Sequence, residues 1–242
     1  MTFDVFEYSN KGGRDYNEDS TGSRYDENGG IFVVADGLGG HSLGEVASEC
    51  VVRTLVDGFA GLGDDPVAQI RLLIKAANDN VLALQAQRNT VMKSTAAVLA
   101  ISGGKAFIAN TGDSRVYYFH EGRIAAYTED HSVAYKKYKS GEITREEICD
   151  DDDQSRLLRS LGSPDRFEPD ITAIPGNICA GDAFLLCSDG AWEYIRDDEM
   201  LIDMFKAADS QHWAELMLLR LMERIDGQND NVSIMTVRVL QE

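Results

Sequence analysis

Two short apolar runs in this chain each end on Asp-Gly. Ile31-Phe32-Val33-Val34-Ala35 leads into Asp36-Gly37, and Ala183-Phe184-Leu185-Leu186-Cys187-Ser188 leads into Asp189-Gly190. Runs rich in Val, Ile, Phe and Leu read as strands covered on both faces. An Asp at the tip of such a strand is held at the rim of the core by a rigid element. The Gly behind it frees the backbone to turn and exposes its carbonyl. This is a way to build a fixed, oxygen-rich site.

Periodicity extends the pattern. Residues 3–9 alternate apolar and polar and read as a strand; 12–19 read as a polar loop or strand end. Helices are expected over 44–59 and 66–88, the second with Val67, Ile70, Ile74, Ala77, Val81 and Leu84 on one face. Strands follow over 94–102, 105–110, 116–120 and 123–128, with Gly103-Gly104 as a hairpin turn. Two short helices over 134–140 and 144–148 come next, Thr144 and Glu147 forming a capping-box pattern. Strands at 170–174 and 183–188, helices at 197–208 and 210–226, and a last strand at 231–240 complete the order. Antiparallel hairpins beside helix pairs, without strict βαβ alternation, indicate an α+β fold with helix pairs covering one or two sheets.

The length of 242 residues and an apolar content of 43% suit one large domain over 1–242 with a substantial core. No apolar stretch is long enough to span a bilayer, and residues 1–4 lack the basic and apolar regions of a signal peptide. The four cysteines, Cys50, Cys149, Cys179 and Cys187, form no CxxC pair and read as reduced, mostly buried thiols. A cytoplasmic protein without a membrane partner is expected. The net charge of −18 argues against nucleic-acid binding. It serves solubility, or gathers carboxylates around cations; only their positions decide.

Those positions are informative. Asp36 and Asp189 end apolar runs, Asp230 precedes the last strand, Asp113 lies in a tight connection, and Glu18 and Asp19 follow Asn17. Each single Asp-Gly is an ordinary turn signal, and Asp57-Gly58 and Asp226-Gly227 read as helix ends. Taken jointly, the acids at strand ends point to one pocket whose like charges call for divalent cations. The donors are all oxygens, which suits Mg²⁺ or Mn²⁺ and not Zn²⁺. Arg14, close in sequence to the first acids, fits two roles: binding a phosphate, or neutralising those acids. The Gly37-Leu38-Gly39-Gly40-His41 stretch fails GxGxxG because Ser42 stands at the last position, so nucleotide binding is not expected.

Six ordered motifs carry a resemblance. They are Arg14…Asn17-Glu18-Asp19, Val34-Ala35-Asp36-Gly37-Leu38-Gly39-Gly40-His41, Gly112-Asp113-Ser114-Arg115, Thr128-Glu129-Asp130-His131-Ser132, Cys187-Ser188-Asp189-Gly190 and Asp230-Asn231-Val232-Ser233. The chain resembles a bacterial PP2C-type (PPM) metal-dependent Ser/Thr protein phosphatase. The resemblance implies a four-layer α-β-β-α sandwich of two antiparallel sheets flanked by helix pairs, with a flap at about 132–165. It implies that Asp36, Asp189 and Asp230 bind one metal. Asp36 and the Gly37 carbonyl, helped by Asp19 or Glu18, would bind a second. Asp113 and Asp189 resemble a third-metal site. Arg14 matches the arginine that holds the substrate phosphate. The implied chemistry is in-line attack on phosphorus by water activated between two Mn²⁺ or Mg²⁺ ions, without a phosphoenzyme.

Two departures qualify that picture. Leu38 stands where many eukaryotic members carry a His assigned as general acid; His41 matches a His of the bacterial branch, as proton donor or structural hydrogen-bonding group. The flap carries Asp150-Asp151-Asp152-Asp153, either a solvated acidic loop or a determinant favouring basic phosphopeptides. Expected partners are phosphorylated Ser/Thr proteins and the kinase that makes them, with the enzyme a monomer. The alternatives are a catalytically silent member acting as a regulatory binding module, and a phosphatase dedicated to one partner such as an anti-anti-sigma factor. Intact Asp36, Asp189, Asp230 and Arg14 argue against the silent reading.

Overall fold

The computed structural model describes residues 1–38 and 43–240. Its strands are β1 (Thr2–Asn10), β2 (Asp19–Asp26), β3 (Gly29–Leu38), β4 (Lys93–Ser94), β5 (Ala96–Ser102), β6 (Lys105–Thr111), β7 (Arg115–His120), β8 (Arg123–Tyr127), β9 (Asp170–Ala173), β10 (Ala183–Cys187) and β11 (Val232–Leu240). The helices are α1 (Gly44–Gly58), α2 (Pro66–Arg88), α3 (Val133–Ser140), α4 (Asp189–Trp192), α5 (Asp197–Lys206) and α6 (Ser210–Arg224), with a 3-10 turn at Glu146–Ile148. One sheet runs β1-β11-β10-β7-β8, the other β2-β3-β5-β6-β9 with β4 beside β3, and every pairing is antiparallel.

The period of two in each strand builds four layers. Along β3, Phe32 and Val34 face Phe184, Leu186, Met235 and Val237 of the other sheet. Ile31, Val33 and Ala35 face the opposite way, onto Ala47, Val51, Leu55, Ile70 and Ile74 of α1 and α2. In the five-stranded sheet Tyr117, Phe119, Leu185 and Ile234 meet Met200, Trp213, Met217 and Leu221 of α5 and α6. Both faces of the central strands are therefore dry, which is why they read as unbroken apolar runs although the sheets are antiparallel.

The structure adds one strand that the sequence did not show and corrects two readings. β2 carries no apolar alternation: Ser20, Thr21, Gly22, Ser23 and Arg24 lie on an edge strand, where one side faces solvent and the usual signal is lost. Asp36-Gly37 does not end its strand; β3 continues to Leu38 and pairs with Lys93 and Ser94. Glycine is needed at 37 for proximity, since a Cβ there would lie 2.1 Å from the Gly44 carbonyl oxygen. Two of the four free cysteines, Cys149 and Cys179, are exposed, because they lie in connections outside the layers.

The close approach of β3 and α1 has a measurable consequence. Gly37→Ala forces backbone against backbone and is expected to cost about 1–3 kcal/mol. At Gly58 a Cβ would meet only the mobile Leu73 Cδ2, at 2.9 Å, so Gly58→Ala should change stability by less than about 1 kcal/mol. Urea unfolding midpoints of the two variants check the difference.

Candidate metal centre

One end of the two-sheet sandwich collects the acids. Asp19 opens β2 directly opposite Asp36 in β3. Asp113 lies between β6 and β7, Asp189 starts α4 after β10, and Asp230 precedes β11. The backbone of each is fixed by a neighbour. Asp36 donates its N–H to Thr95 Oγ1 at 2.8 Å, and its carbonyl accepts from Thr95 N at 2.8 Å. Thr95 Oγ1 in turn lies 2.7 Å from Ser114 Oγ, beside Asp113. Trp192 Nε1 donates to the Asp113 carbonyl at 2.9 Å. A Cβ on Gly190 would lie 2.1 Å from the Asn231 carbonyl oxygen, so only glycine lets α4 pack against the entry to β11.

The two sheets are tied together here by polar side chains. Ser188 Oγ, at the end of β10, donates to Asp19 Oδ2 of the other sheet at 2.7 Å and accepts from Ser233 N at 2.9 Å. Asn231 Oδ1 accepts from Glu18 N at 2.8 Å, while its Nδ2 donates to the carbonyls of Lys11 at 2.9 Å and Tyr16 at 2.8 Å. These bonds fix the loop that carries Arg14. Below the site, buried Arg115 is bidentate to Asp130, at 2.8 and 2.6 Å, and stacks on Trp192 at 3.6 Å. His131 accepts from Gly112 N at 3.2 Å and lies 3.0 Å from Asp170. The Thr128–Ser132 motif therefore props the Asp113 turn, and its Asp130 adds to the negative charge at Asp113.

Electrostatics register the crowding. Burial, reinforced by Asp189, Asp19, Asp113 and Asp230, holds the Asp36 carboxyl well above the usual carboxylate range. Burial and the Asp189 charge do the same at Asp113. Asp19 is pushed up to about 7 by burial against the opposing bonds from Ser188 and Ser233, and Asp189 to about 6 by burial and Asp230. Glu193 is pushed up to about 8 by burial, then by Asp189 and Asp230.

The donor set fits hard divalent cations. Asp19 Oδ1 and Asp113 Oδ1 are buried and have no hydrogen-bond partner. Buried acceptors left open in this way cost free energy unless a cation or ordered water meets them. Arg14 Nη2 donates to Asp230 Oδ2 at 2.6 Å, so in this state Arg14 neutralises an acid. Its side chain remains 58% exposed, leaving the rest of the guanidinium accessible.

The sequence-named residues Asp19, Asp36, Asp113, Asp189 and Asp230 converge, and the electrostatics couple Asp36 to the other four. Glu18 stands somewhat apart: its Oε1 accepts from Gly44 N at 3.1 Å, at the start of α1. His41, together with Gly39 and Gly40, lies outside the described residues. Sequence reasoning missed Glu193, which couples to Asp189 and accepts a bond from Gln154 Nε2 of the 132–165 segment. Its spacing of four from Asp189, one helical turn, was the available signal. The structural roles of Thr95, Ser188 and the Asn231 side chain were also unassigned, because each acts across a gap that only folding closes.

An α+β sandwich with such an acidic centre defines a class of metal-dependent hydrolase fold, and comparison places the chain within it. The sequence profile of the Protein phosphatase 2C family matches residues 8–215. A Listeria welshimeri protein, Serine/threonine phosphatase stp, is 32% identical over 233 residues, covering 93% of this chain and 90% of its own length. The crystal structure of the Mycobacterium tuberculosis serine/threonine phosphatase PstP superposes with a TM-score of 0.87 at 26% identity, over 100% of both chains. A structure of the PstP catalytic domain with two manganese ions superposes with a TM-score of 0.83 at 26% identity, over 99% of each chain. The chain belongs to the protein phosphatase 2C family.

Raised carboxyl values in the folded state carry a stability consequence. Between the ordinary Asp value and the raised ones, the folded metal-free protein binds more protons than the unfolded chain. Its stability therefore falls as pH rises through that window. Metal-stripped protein is expected to melt at a lower temperature at pH 7.5 than at pH 5.5. Saturating Mg²⁺ should remove or reverse that difference, and Asp36→Asn should flatten it. Differential scanning calorimetry with and without chelator checks this.

Proposed function

We propose that this protein is a protein-serine/threonine phosphatase that hydrolyses phosphoserine and phosphothreonine esters with two divalent cations, Mn²⁺ or Mg²⁺. The observation that carries the reading is the buried acidic centre, with open oxygens on Asp19 and Asp113, beside the half-exposed Arg14. Asp36, Asp189 and Asp230 would hold one cation, and Asp36 with the Gly37 carbonyl the other. Asp19 is better suited than Glu18 to support the second, since it stands opposite Asp36 with Oδ1 unpaired. Asp113 and Asp189 would hold a third. When bound, such cations acidify water into a nucleophile and neutralise charge on the phosphoryl oxygens.

The chain's own side chains supply the rest. Arg14 exchanges its bond to Asp230 for the substrate phosphate, where the guanidinium fork gives orientation as well as charge. Thr95, Ser188 and Asn231 hold the ligand-bearing backbones so that little reorganisation accompanies the reaction. The 132–165 segment serves as a flap within a single phosphatase domain. It is anchored by Arg145 to Asp197 at 2.7 Å and by Gln154 to Glu193. In the flap Lys137 binds Asp151 at 2.8 Å and Asp153 at 2.9 Å, and Arg156 also binds Asp153. A preference for basic phosphopeptides would then rest on exposed Asp150 and Asp152.

The substrates are phosphoproteins, and the partner of such an enzyme is the Ser/Thr kinase that makes them. The cytoplasm suits free, exposed thiols at Cys149 and Cys179. No helix among the described residues is long and apolar enough to cross a membrane. The protein acts as a monomer.

Turnover of p-nitrophenyl phosphate and a phosphothreonine peptide should require Mn²⁺ or Mg²⁺ and stop with EDTA. Asp36→Asn is expected to lower kcat roughly 100-fold or more, and Arg14→Ala to raise KM by about tenfold. Activity indifferent to both chelation and Asp36→Asn overturns the assignment. Double substitution of Asp150 and Asp152 by Asn should raise KM for basic phosphopeptides while sparing acidic ones; equal effects refute the flap reading.

A further inference from the structure

A second, chemically different cluster lies at the opposite end of the five-stranded sheet. The antiparallel register Ala183↔Phe119 places Asp182 beside His120, at the ends of β10 and β7 remote from Asp189 and Asp113. Cys179-Ala180-Gly181-Asp182 forms a tight turn, closed by Asp182 N donating to the Cys179 carbonyl at 3.1 Å, with Gly181 at φ +94°. A turn closed between residues i and i+3 can bring both side chains to one side. One ligand atom from each of His120, Cys179 and Asp182 falls within 4.8 Å of the other two.

The surroundings orient these groups as metal-site supports do. Asp182 Oδ2 accepts from Tyr118 Oη at 3.0 Å and from Cys179 N at 2.9 Å, while Oδ1 is hydrogen-bonded to His120 Nδ1 at 2.6 Å, which leaves His120 Nε2 and the second lone pair of Oδ1 for an ion. The Tyr118 ring stacks on the imidazole at 5.8 Å and 20°. Fixed carboxylate and ring orientations of this kind tune metal affinity. Asp182 is buried and His120 half-buried, while Cys179 is exposed, so an ion could enter from solvent. Glu121 Oε1, 3.9 Å from His120 Nε2, adds negative charge.

We propose that His120, Cys179 and Asp182 form a site for a borderline-soft divalent cation of the Zn²⁺ class. Nitrogen, sulfur and oxygen donors select such an ion, whereas the all-oxygen rim selects Mg²⁺ or Mn²⁺. Three protein ligands leave a fourth tetrahedral position for water. Binding takes the Cys179 thiol to thiolate and releases its proton to solvent. The bound ion would clip the 179–182 turn to the end of β7 and stabilise the folded state independently of the phosphatase reaction.

The test uses the full chain, stripped of metal and then held in excess Mg²⁺ to fill oxygen sites, with Co²⁺ as the probe. One equivalent of Co²⁺ should produce a thiolate-to-cobalt charge-transfer band in the near ultraviolet, displaced by Zn²⁺. Cys179→Ser should abolish the band, Cys149→Ser should keep it, and His120→Ala should weaken Co²⁺ binding about tenfold or more. Mg²⁺-dependent phosphatase activity of Cys179→Ser should match wild type, which shows that the variant is folded. Absence of the band in wild type, its persistence in Cys179→Ser, or its loss in Cys149→Ser overturns the proposal.

Discussion

Like charges forced together at the edge of a dry core are the constraint on which this structure turns. Asp19, Asp36, Asp113 and Asp189 are each held above the usual carboxylate range, with burial the largest cause in every case. Single hydrogen bonds from Ser188 and Gly190 and the Arg14 ion pair offset only part of the cost of such a gathering. It persists because the apolar contacts between the sheets, and between each sheet and its helices, position the strand ends independently of the acids. The core thus holds the acids in place, and a divalent cation bound among them would relieve their repulsion.

The rim is also the place where the two sheets are bonded to each other. Ser188 reaches Asp19 across the sandwich, and Asn231 holds Glu18 and the loop bearing Arg14. Gly37 and Gly190 allow backbone approaches that no side chain could tolerate. Movement of one sheet against the other would therefore displace acids from both, which ties packing to the geometry of the acidic centre. At the far end of the five-stranded sheet, Asp182 is fixed by the same logic, between Tyr118 and the Cys179 amide.

Much of this was legible because both faces of the inner strands are buried, so apolar runs announced β3 and β10 and the acids that follow them. α2 was legible from its spacing and its terminal Pro66. β2 was not, since an edge strand with polar residues has no periodic signal. Glu193 had only its spacing of four from Asp189 to mark it, because α4 is four residues long and gives no longer helical pattern. The reading of mostly buried cysteines failed at Cys149 and Cys179, whose exposure depends on where two connections run over the surface.

The sequence by itself determined most of the element order, the α+β class, the acids that follow the apolar runs and the family they mark, because these follow from periodicity and from residue types at set spacings. Only the tertiary structure decided which oxygens remain open, that Arg14 rests on Asp230, and that Glu18 reaches the start of α1. It also brought His120 beside Cys179 and Asp182. The reason is physical: strand registry and sheet-on-sheet packing set distances between residues far apart in the chain, and no local pattern encodes those distances.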